Sequence, residues 1–384
     1  MNFLVFDSTI IFGNNDNIII YNLDNHVKNL IILPTPQIDQ NCDLHSNPFN
    51  DSESCMPIMA LSCKREYLVI CKSGKQLFLY ELKTKKLAST RLLKRAARKI
   101  KFLSNNDIII ADKTGDVYLF FLLDSLQDGK LLLGHLSIIL DFLITSDENH
   151  IITTDRNGKI RVSKFPNSYN IEVYCLGHTQ FVTNISILPH DKQILISVGG
   201  DGCFILWDYT HGKELLTVRF EERISNEELQ ELNKSFVENN LNEPINMLPV
   251  KHMRLCFLNE TSSLVVISFF KSSTILVYKI SNSSVSPCAV EYVQTLKIVT
   301  EPLECFLDES KLWIFTANSV IFYKFINNVF EPNNNFSSKL DSLNRAWEEY
   351  MPKKLKEDLF LRLYIKKYDN LKEYFEKKKL RISR

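Results

Sequence analysis

The chain has 384 residues, enough for two ordinary domains or one large ring, and its 45% hydrophobic content supports a sizeable core. A net charge of +1 gives no global field to draw the chain onto nucleic acid, which excludes a uniformly basic coat protein. No apolar run reaches the roughly 18 residues of a membrane helix, and Met1–Asp7 carries no positive stretch ahead of an apolar one, so neither a membrane span nor a signal peptide is expected.

The nine cysteines are odd in number and form no Cys-x-x-Cys pair. Cys63, Cys71, Cys175, Cys203, Cys256 and Cys305 stand in strand-like apolar runs and read as reduced, buried thiols of a cytosolic or nuclear protein. The sequons at Asn259, Asn282 and Asn335 then read as chance matches.

In chain order, Phe3–Phe6, Ile10–Phe12 and Ile18–Tyr21 are short β-rich runs. Pro34–Pro57 is polar and reads as a mobile surface loop. Tyr67–Cys71 and Gln76–Leu82 flank Lys72-Ser-Gly74 and predict a hairpin. A basic cluster follows: Arg91, Lys94, Arg95, Arg98, Lys99 and Lys101. It reads as a solvated loop, with a phosphate-binding patch as the alternative. Ile108–Phe120 predicts another hairpin, with Thr114-Gly115 at its turn.

The stretch from Gly134 to Asp208 carries the strongest signal. Gly134-His135 and Gly177-His178 lie 43 residues apart. Asn157-Gly158 and Asp201-Gly202 mark turns at matching positions. This is the period of the WD repeat, a four-stranded blade that cannot bury both faces alone. The chain therefore predicts an all-β fold, a seven-bladed WD-repeat β-propeller. In the second repeat, His178, Ser197, Asp201 and Trp207 are expected to form a buried structural hydrogen-bonded string, not a catalytic site.

Ser225 with Glu228 forms a capping box, followed by Leu229, Leu232 and Phe236 at helical spacing; this predicts a helical insert over about 225–240. Strands return at Leu255–Phe257, Ser263–Phe270 and Thr274–Tyr278. Leu296–Val299, Glu304–Leu307, Lys311–Thr316 and Ser319–Phe325 read as the last set. Edge strands favour closure, and Phe3–Phe6 is expected to pair with the strands near Lys311–Phe325. The propeller is thus assigned to 1–335, and 336–384 to a basic amphipathic helical tail. Helices are expected at Asp341–Tyr350 and from Pro352. Phe360, Leu363, Tyr364, Leu371, Tyr374 and Phe375 form its apolar stripe. From Lys339 onward 14 Lys/Arg stand against 8 Asp/Glu, so the basic charge sits in the tail.

Chemistry-bearing motifs are missing. There is no glycine-rich phosphate loop, no His-Glu-x-x-His, no Cys/His set at metal spacing and no Gly-x-Ser-x-Gly elbow. No metal, cofactor or catalytic residue is expected, and a propeller without a site points to a scaffold.

Four motifs occur in order: Ala111–Tyr118, Leu132-Leu-Gly-His-Leu-Ser137, Thr154–Ser163 and Cys175-Leu-Gly-His-Thr-Gln-Phe-Val182. Together they closely resemble the WD-repeat, non-catalytic subunit of the eukaryotic tRNA guanine-N7 methyltransferase, strongly over about 105–215 and loosely in the tail. The resemblance implies a heterodimer. The partner would carry S-adenosylmethionine and methylate a variable-loop guanine of tRNA, while this chain would hold the partner and help dock the tRNA.

It further implies that Arg161 makes an ion pair with an acidic residue of the catalytic subunit. Alternation over Lys159–Ser163 places Lys159, Arg161 and Ser163 on one face, which predicts an exposed Arg161. Lys159, Asp155, Arg156 and Lys113 are further partner-binding candidates. The family often has an acidic residue where this chain has Gly158. Lys366, Lys367, Lys377, Lys378, Lys379 and Arg381 are the tRNA-facing candidates. The lysine run also reads as a weak nuclear import signal, so the nucleus is the expected location, with the cytoplasm second. The rival readings are a general WD-repeat adaptor, such as a ubiquitin-ligase substrate receptor or chromatin scaffold, and an enzyme with a site in the propeller channel.

Overall fold

The computed structural model describes residues 3–14, 16–34, 56–72, 75–122, 124, 127–238, 244–282, 288–309, 311–333, 336–351 and 360–364. Seven antiparallel sheets follow one another, each built from four consecutive strands. They are blades 1 to 7, at 4–32, 58–92, 97–134, 139–175, 182–219, 250–297 and 304–332. Neighbouring blades meet chiefly through their first strands, which therefore line the axis of a ring.

Middle strands such as Ile108–Asp112, Ile194–Gly199 and Ser262–Phe269 are buried along their whole length. Each lies between two neighbouring sheets, so both of its faces are covered. This is why these segments read as unbroken apolar runs and not as alternating ones. Fourth strands such as Ile171–Cys175 are largely exposed.

The predicted closure is not what the ring uses. Leu4–Phe6 pairs with Thr9–Gly13 inside blade 1. The outer strand of blade 7 is Val329–Pro332, folded back on Val320–Ile326 through Asn327-Asn328, both at positive φ as a tight hairpin requires. That local hairpin takes the edge the N-terminal strand was expected to fill. Residues 296–297, read as the start of the last set, instead end the outer strand of blade 6, where Ile275 faces Leu296.

Side chains close the ring instead. Helix α2, Ser337–Tyr350 in the chain's C-terminal part, buries Leu343, Ala346 and Trp347 against blades 1 and 7. Phe3 stacks on Phe315 at 4.9 Å between ring centroids, and Trp347 lies 5.0 to 5.4 Å from Phe3, Phe12 and Phe315. The Trp347 indole N–H donates to the Thr316 carbonyl at 3.2 Å. Asn344 bonds the backbone of Val320, and Asn14 donates to the Tyr350 carbonyl.

The insert forms as helix α1, Asn226–Glu238. The Glu228 N–H donates to Ser225 Oγ, one of the two bonds of a capping box, and the Ser225 hydroxyl donates to the Glu228 carboxylate. Leu232 and Phe236 are buried in the core of blades 5 and 6. A short helix, Phe360–Tyr364, docks beside them: Phe360 stacks on Phe270 at 4.5 Å, and Tyr364 meets Phe181 edge-on at 5.1 Å. Among the described residues no helix is long and apolar enough to cross a membrane. The stretches 35–55 and 365–384, with the polar loop and the rest of the tail, lie outside the described residues.

Cys71, Cys175, Cys203, Cys256, Cys288 and Cys305 are free and buried, whereas Cys63 is exposed on a turn and not in a strand. The basic cluster is a solvated loop only at Lys94 and Arg95, exposed on the bend between blades 2 and 3. Arg91 is buried in a strand and donates to the Leu122 carbonyl, and Ala97–Phe102 is the first strand of blade 3.

Two outcomes follow for stability. Truncating Trp347 to Ala opens the seam's aromatic centre and is expected to cost about 3–5 kcal/mol in urea unfolding. The second concerns Glu304, which joins blades 6 and 7 by accepting from the Arg254 guanidinium. Burial raises its carboxyl, but Arg254 and His252 more than offset this and hold its pKa at about 2. A carboxyl depressed on folding contributes stability that is complete above its unfolded value of 4.5 and is lost as pH falls toward 2. Glu304→Gln is therefore expected to be less stable than wild type at pH 7 and to show a flatter acid limb between pH 4.5 and 2.

Candidate interface on the rim of blades 3 to 5

The turn between the second and third strands of a blade projects at one rim of the ring. In blade 3 this turn follows Asp112 and in blade 4 Asp155, whereas in blade 5 Asp201 lies within it. The first two aspartates gather the polar groups of their own turns, and Asp201 reaches across to His178 and Thr179. Asp112 Oδ1 accepts from the N–H groups of Thr114, Gly115 and Asp116, and Asp155 Oδ1 from those of Asn157 and Lys159. Gly115 and Gly158 adopt positive φ, +120° and +77°. A Cβ on Gly158 would come within 2.7 Å of the Gln180 carbonyl oxygen. That contact and the left-handed backbone favour glycine at this position.

The predicted structural string is present in blade 5. The Trp207 indole N–H donates to Ser197 Oγ at 2.8 Å, and Ser197 Oγ lies 2.7 Å from His178 Nε2. His178 Nδ1 lies 2.9 Å from Asp201, which also accepts the Thr179 N–H. One proton arrangement satisfies every group: indole to hydroxyl, hydroxyl to Nε2, Nδ1–H to carboxylate. Burial raises the Asp201 carboxyl, but the His178 contact and the Thr179 N–H outweigh it, and its pKa ends below the ordinary value. Cys203 also stands close to His178 and Asp201. Burial pushes its thiol up, so it remains protonated and donates to Asp201.

Blade 4 repeats the string and then departs from it. His135 bonds Asp155 at 3.2 Å and Thr153 at 2.8 Å. Asp155 is therefore a buried member of its own blade, 3% exposed, and not the surface contact the sequence suggested. By strand register, Arg161 stands where blade 5 has Ile205, and Ser163 where it has Trp207. Replacing the indole with a hydroxymethyl group leaves room, and the Arg161 guanidinium occupies it. Arg161 Nε donates to Ser163 Oγ at 2.9 Å, Nη1 to the Gly134 carbonyl at 3.2 Å and Nη2 to the Ser168 carbonyl at 2.8 Å. The expected exposure is thus corrected: Arg161 is 8% exposed, and burial lowers its pKa. Among the described residues the guanidinium meets hydroxyl and carbonyl oxygens and no carboxylate.

Lys113 and Lys159 are exposed on adjacent turns of this rim, and Arg156 is half-buried. Sequence reasoning missed an apolar component. Leu136 is fully exposed, two residues from the Gly134 carbonyl that Arg161 holds, and Leu176 is 64% exposed on the next inter-blade linker. Ile171 and Tyr174, the strand neighbours of Ser163 and Arg161, are also exposed. The signal was available in Gly134-His135-Leu136 and Cys175-Leu176-Gly177, where a leucine stands beside each Gly-His pair. Clustered exposed apolar side chains mark interaction surfaces. Lys366, Lys367, Lys377, Lys378, Lys379 and Arg381 lie outside the described residues.

Ser197→Ala removes the hydroxyl shared by His178 and Trp207. A buried polar group left unpaired costs about 1–3 kcal/mol. A loss of about 2–4 kcal/mol in chemical denaturation is expected, with the ring otherwise intact by circular dichroism.

Residues 125–321 match the tRNA methyltransferase TRM82 WD40 domain. The tRNA (guanine-N(7)-)-methyltransferase non-catalytic subunit wdr4 of Xenopus laevis is 30% identical over 332 residues, covering 84% of this chain and 79% of the relative. The subunit named wuho in Culex quinquefasciatus is 29% identical, with 87% and 77% covered, and the human WDR4 subunit is 36% identical over 44% of this chain and 41% of its own length. Among solved structures, a chain of the mitotic checkpoint complex superposes with a TM-score of 0.61 at 12% identity, over 82% of this chain and 86% of that one, and shares the fold. The chain belongs to the family of WD-repeat, non-catalytic subunits of tRNA (guanine-N7-)-methyltransferase.

Proposed function

We propose that this chain is the scaffold subunit of a heterodimeric tRNA guanine-N7 methyltransferase. It binds a catalytic subunit that carries S-adenosylmethionine and forms N7-methylguanosine in the variable loop of tRNA. The observation that carries the reading is the rim of blades 3 and 4, of which blade 4 and the linker at Gly134-His135-Leu136 lie within the matched residues 125–321. There, exposed apolar side chains surround a buried guanidinium that meets no carboxylate among the described residues. A protein partner with an apolar patch and one acidic side chain fits that surface. The apolar contacts supply affinity, and the carboxylate reaches the N–H groups of Arg161 not already engaged by Gly134, Ser163 and Ser168. Lys113 and Lys159 add a basic margin that speeds encounter with an acidic partner. In this reading the basic end of the chain, with Lys366, Lys367, Lys377, Lys378, Lys379 and Arg381, lies toward the tRNA, and the complex works in the nucleus.

The burial of Arg161 decides how the reading is tested. A glutamate at that position would face the Gly134 and Ser168 carbonyls and disturb the blade itself, so Arg161→Met is the cleaner change. The chain and its variants are pulled from their own cells and the eluate is assayed for methyl transfer to tRNA. Wild type is expected to bring down an S-adenosylmethionine-fold protein with activity. Arg161→Met is expected to weaken that association by about 2–5 kcal/mol, the usual effect of truncating one member of a desolvated pair. The Lys113→Glu, Lys159→Glu double variant, whose sites lie in solvent, is expected to slow association with unchanged thermal stability. A pull-down rich in other partners and free of methyl transfer would replace this reading with the general adaptor.

A further inference from the structure

We propose that the rim carries a second anchoring point, a cleft over Asp112 in blade 3 that receives one lysine side chain of the catalytic subunit. The proposal rests on the scaffold reading above and gives the chemistry of a further contact within it.

Comparison of blades 3 and 4 shows what the cleft lacks. In blade 4, Asp155 gives Oδ1 to the N–H groups of its turn and Oδ2 to His135. Blade 3 keeps the aspartate and drops the histidine. The His135 N–H donates to the Gly115 carbonyl, in the turn of the blade just completed, and the Leu93 N–H donates to the Lys75 carbonyl in the same way. Leu93 therefore stands at the place of the histidine. By strand register Ile110 stands where blade 4 has Thr153, and Phe120 where it has Ser163. Asp112 is 2% exposed, and its Oδ1 holds the turn. Its Oδ2 is buried and has no hydrogen-bond partner among the described residues. A buried carboxylate oxygen left without a donor is costly, and such groups are rare in native folds.

A cleft lies over this oxygen, with Leu92, Leu93, Ile110, Tyr118 and Phe120 in its walls and Asp112 among its lining residues. It has about 320 Å³ of empty space, part of it open solvent, yet takes little more than one water-sized group. The occupant must be a cation, because the group left over is a carboxylate oxygen. It must be compact, because the space is small. It must arrive on an apolar stem, because the carboxylate stands among apolar and aromatic walls with Leu92 exposed beside them. A lysine meets all three demands, with its methylenes against the leucines and its ammonium near aromatic faces. A guanidinium is too broad, and a free metal ion would find one open oxygen where it needs several. Lys94 and Arg95 also line the cleft, but Asp112 and Asp128 balance them, so an entering ammonium meets no net repulsion. The chain's own Lys94 ammonium stands over the Tyr118 ring instead, 5.8 Å from its centroid. The turn that Asp112 holds also carries Lys113, and its Gly115 carbonyl binds the linker whose Gly134 carbonyl Arg161 holds. One partner face can thus offer a carboxylate to Arg161 and a lysine to Asp112, and opposite charges at two points fix the register of docking.

The experiment titrates the full chain with its catalytic subunit by calorimetry and follows thermal unfolding of the free chain. Asp112→Asn keeps Oδ1 for the turn and removes the charge. It is expected to bind about thirtyfold more weakly, as loss of one member of a desolvated pair does, while the free chain melts no lower than wild type. Leu93→His with Ile110→Thr rebuilds the string of blade 4 inside the cleft, and is expected to melt above wild type and to bind more weakly. Amine acylation read by mass spectrometry is expected to find one lysine of the catalytic subunit protected in the wild-type complex and labelled in the Asp112→Asn complex. Should the rebuilt variant fail to fold, Asp112→Asn and the labelling decide. Wild-type affinity in Asp112→Asn, or no lysine whose protection depends on Asp112, would overturn the proposal. So would an equal loss of free-chain stability in Asp112→Asn and Lys94→Met, which would assign the oxygen to Lys94. A wild-type chain that binds no methyltransferase subunit sinks the scaffold reading itself, whereas a complex indifferent to Asp112→Asn sinks the cleft alone.

Discussion

A ring of sheets has one seam where the two ends of the chain must meet, and every other blade depends on that seam holding. Among the described residues no strand crosses it. Blade 1 and blade 7 each complete their own four strands, so the junction lacks the backbone ladder that would otherwise lock it. The substitute is aromatic. Phe3, Phe12 and Phe315 converge on the Trp347 ring, and α2 carries that ring across both blades. Buried aromatics remove much apolar area from water and prefer tilted or offset contacts of this kind. Polar bonds then fix the helix in register: the indole on Thr316, Asn344 on Val320, and Asn14 on the C-terminal end of the helix. The helical segment after blade 7 is thus a structural part of the ring.

Within the ring, function is made by departure from the repeat. Blade 5 fills the space outside its His–Ser–Asp string with an indole, as the repeat demands. Blade 4 keeps His135, Thr153 and Asp155 but has Ser163, and a guanidinium enters the space instead. The exchange turns a rigid apolar plug into a cation that ties blade 4 to the Gly134 end of blade 3 and the Ser168 turn. Buried charges are retained at a stability cost when they serve a partner or fix a geometry. The exposed Leu136 and Leu176 sit on the linkers that follow the same two blades, so the apolar surface and the cation are held by one piece of scaffold.

What the sequence made legible follows from how local each signal is. The Gly-His spacing, the Asp-Gly turns and the capping box at Ser225 and Glu228 each lie within one repeat or one helical turn, and all appear in the fold. The seam was not legible, because Phe3 and Trp347 meet only after the whole ring has closed, and the hairpin at Asn327-Asn328 removed the need for the expected crossing strand. Arg161 was misread for a related reason. Two-residue alternation correctly puts it on the face of Lys159 and Ser163, but whether that face is open depends on the adjoining blade, which periodicity in one strand does not report. Lys99 and Lys101 were misplaced because six basic residues in eleven positions suggest solvent. The apolar residue between them, Ile100, marked the strand.

At the rim, Arg161 is fixed by three of its own fold's oxygens, so its charge is pre-positioned and a partner need not pay to order it. That arrangement favours a permanent protein contact, since a rigid guanidinium rewards a carboxylate presented in one geometry.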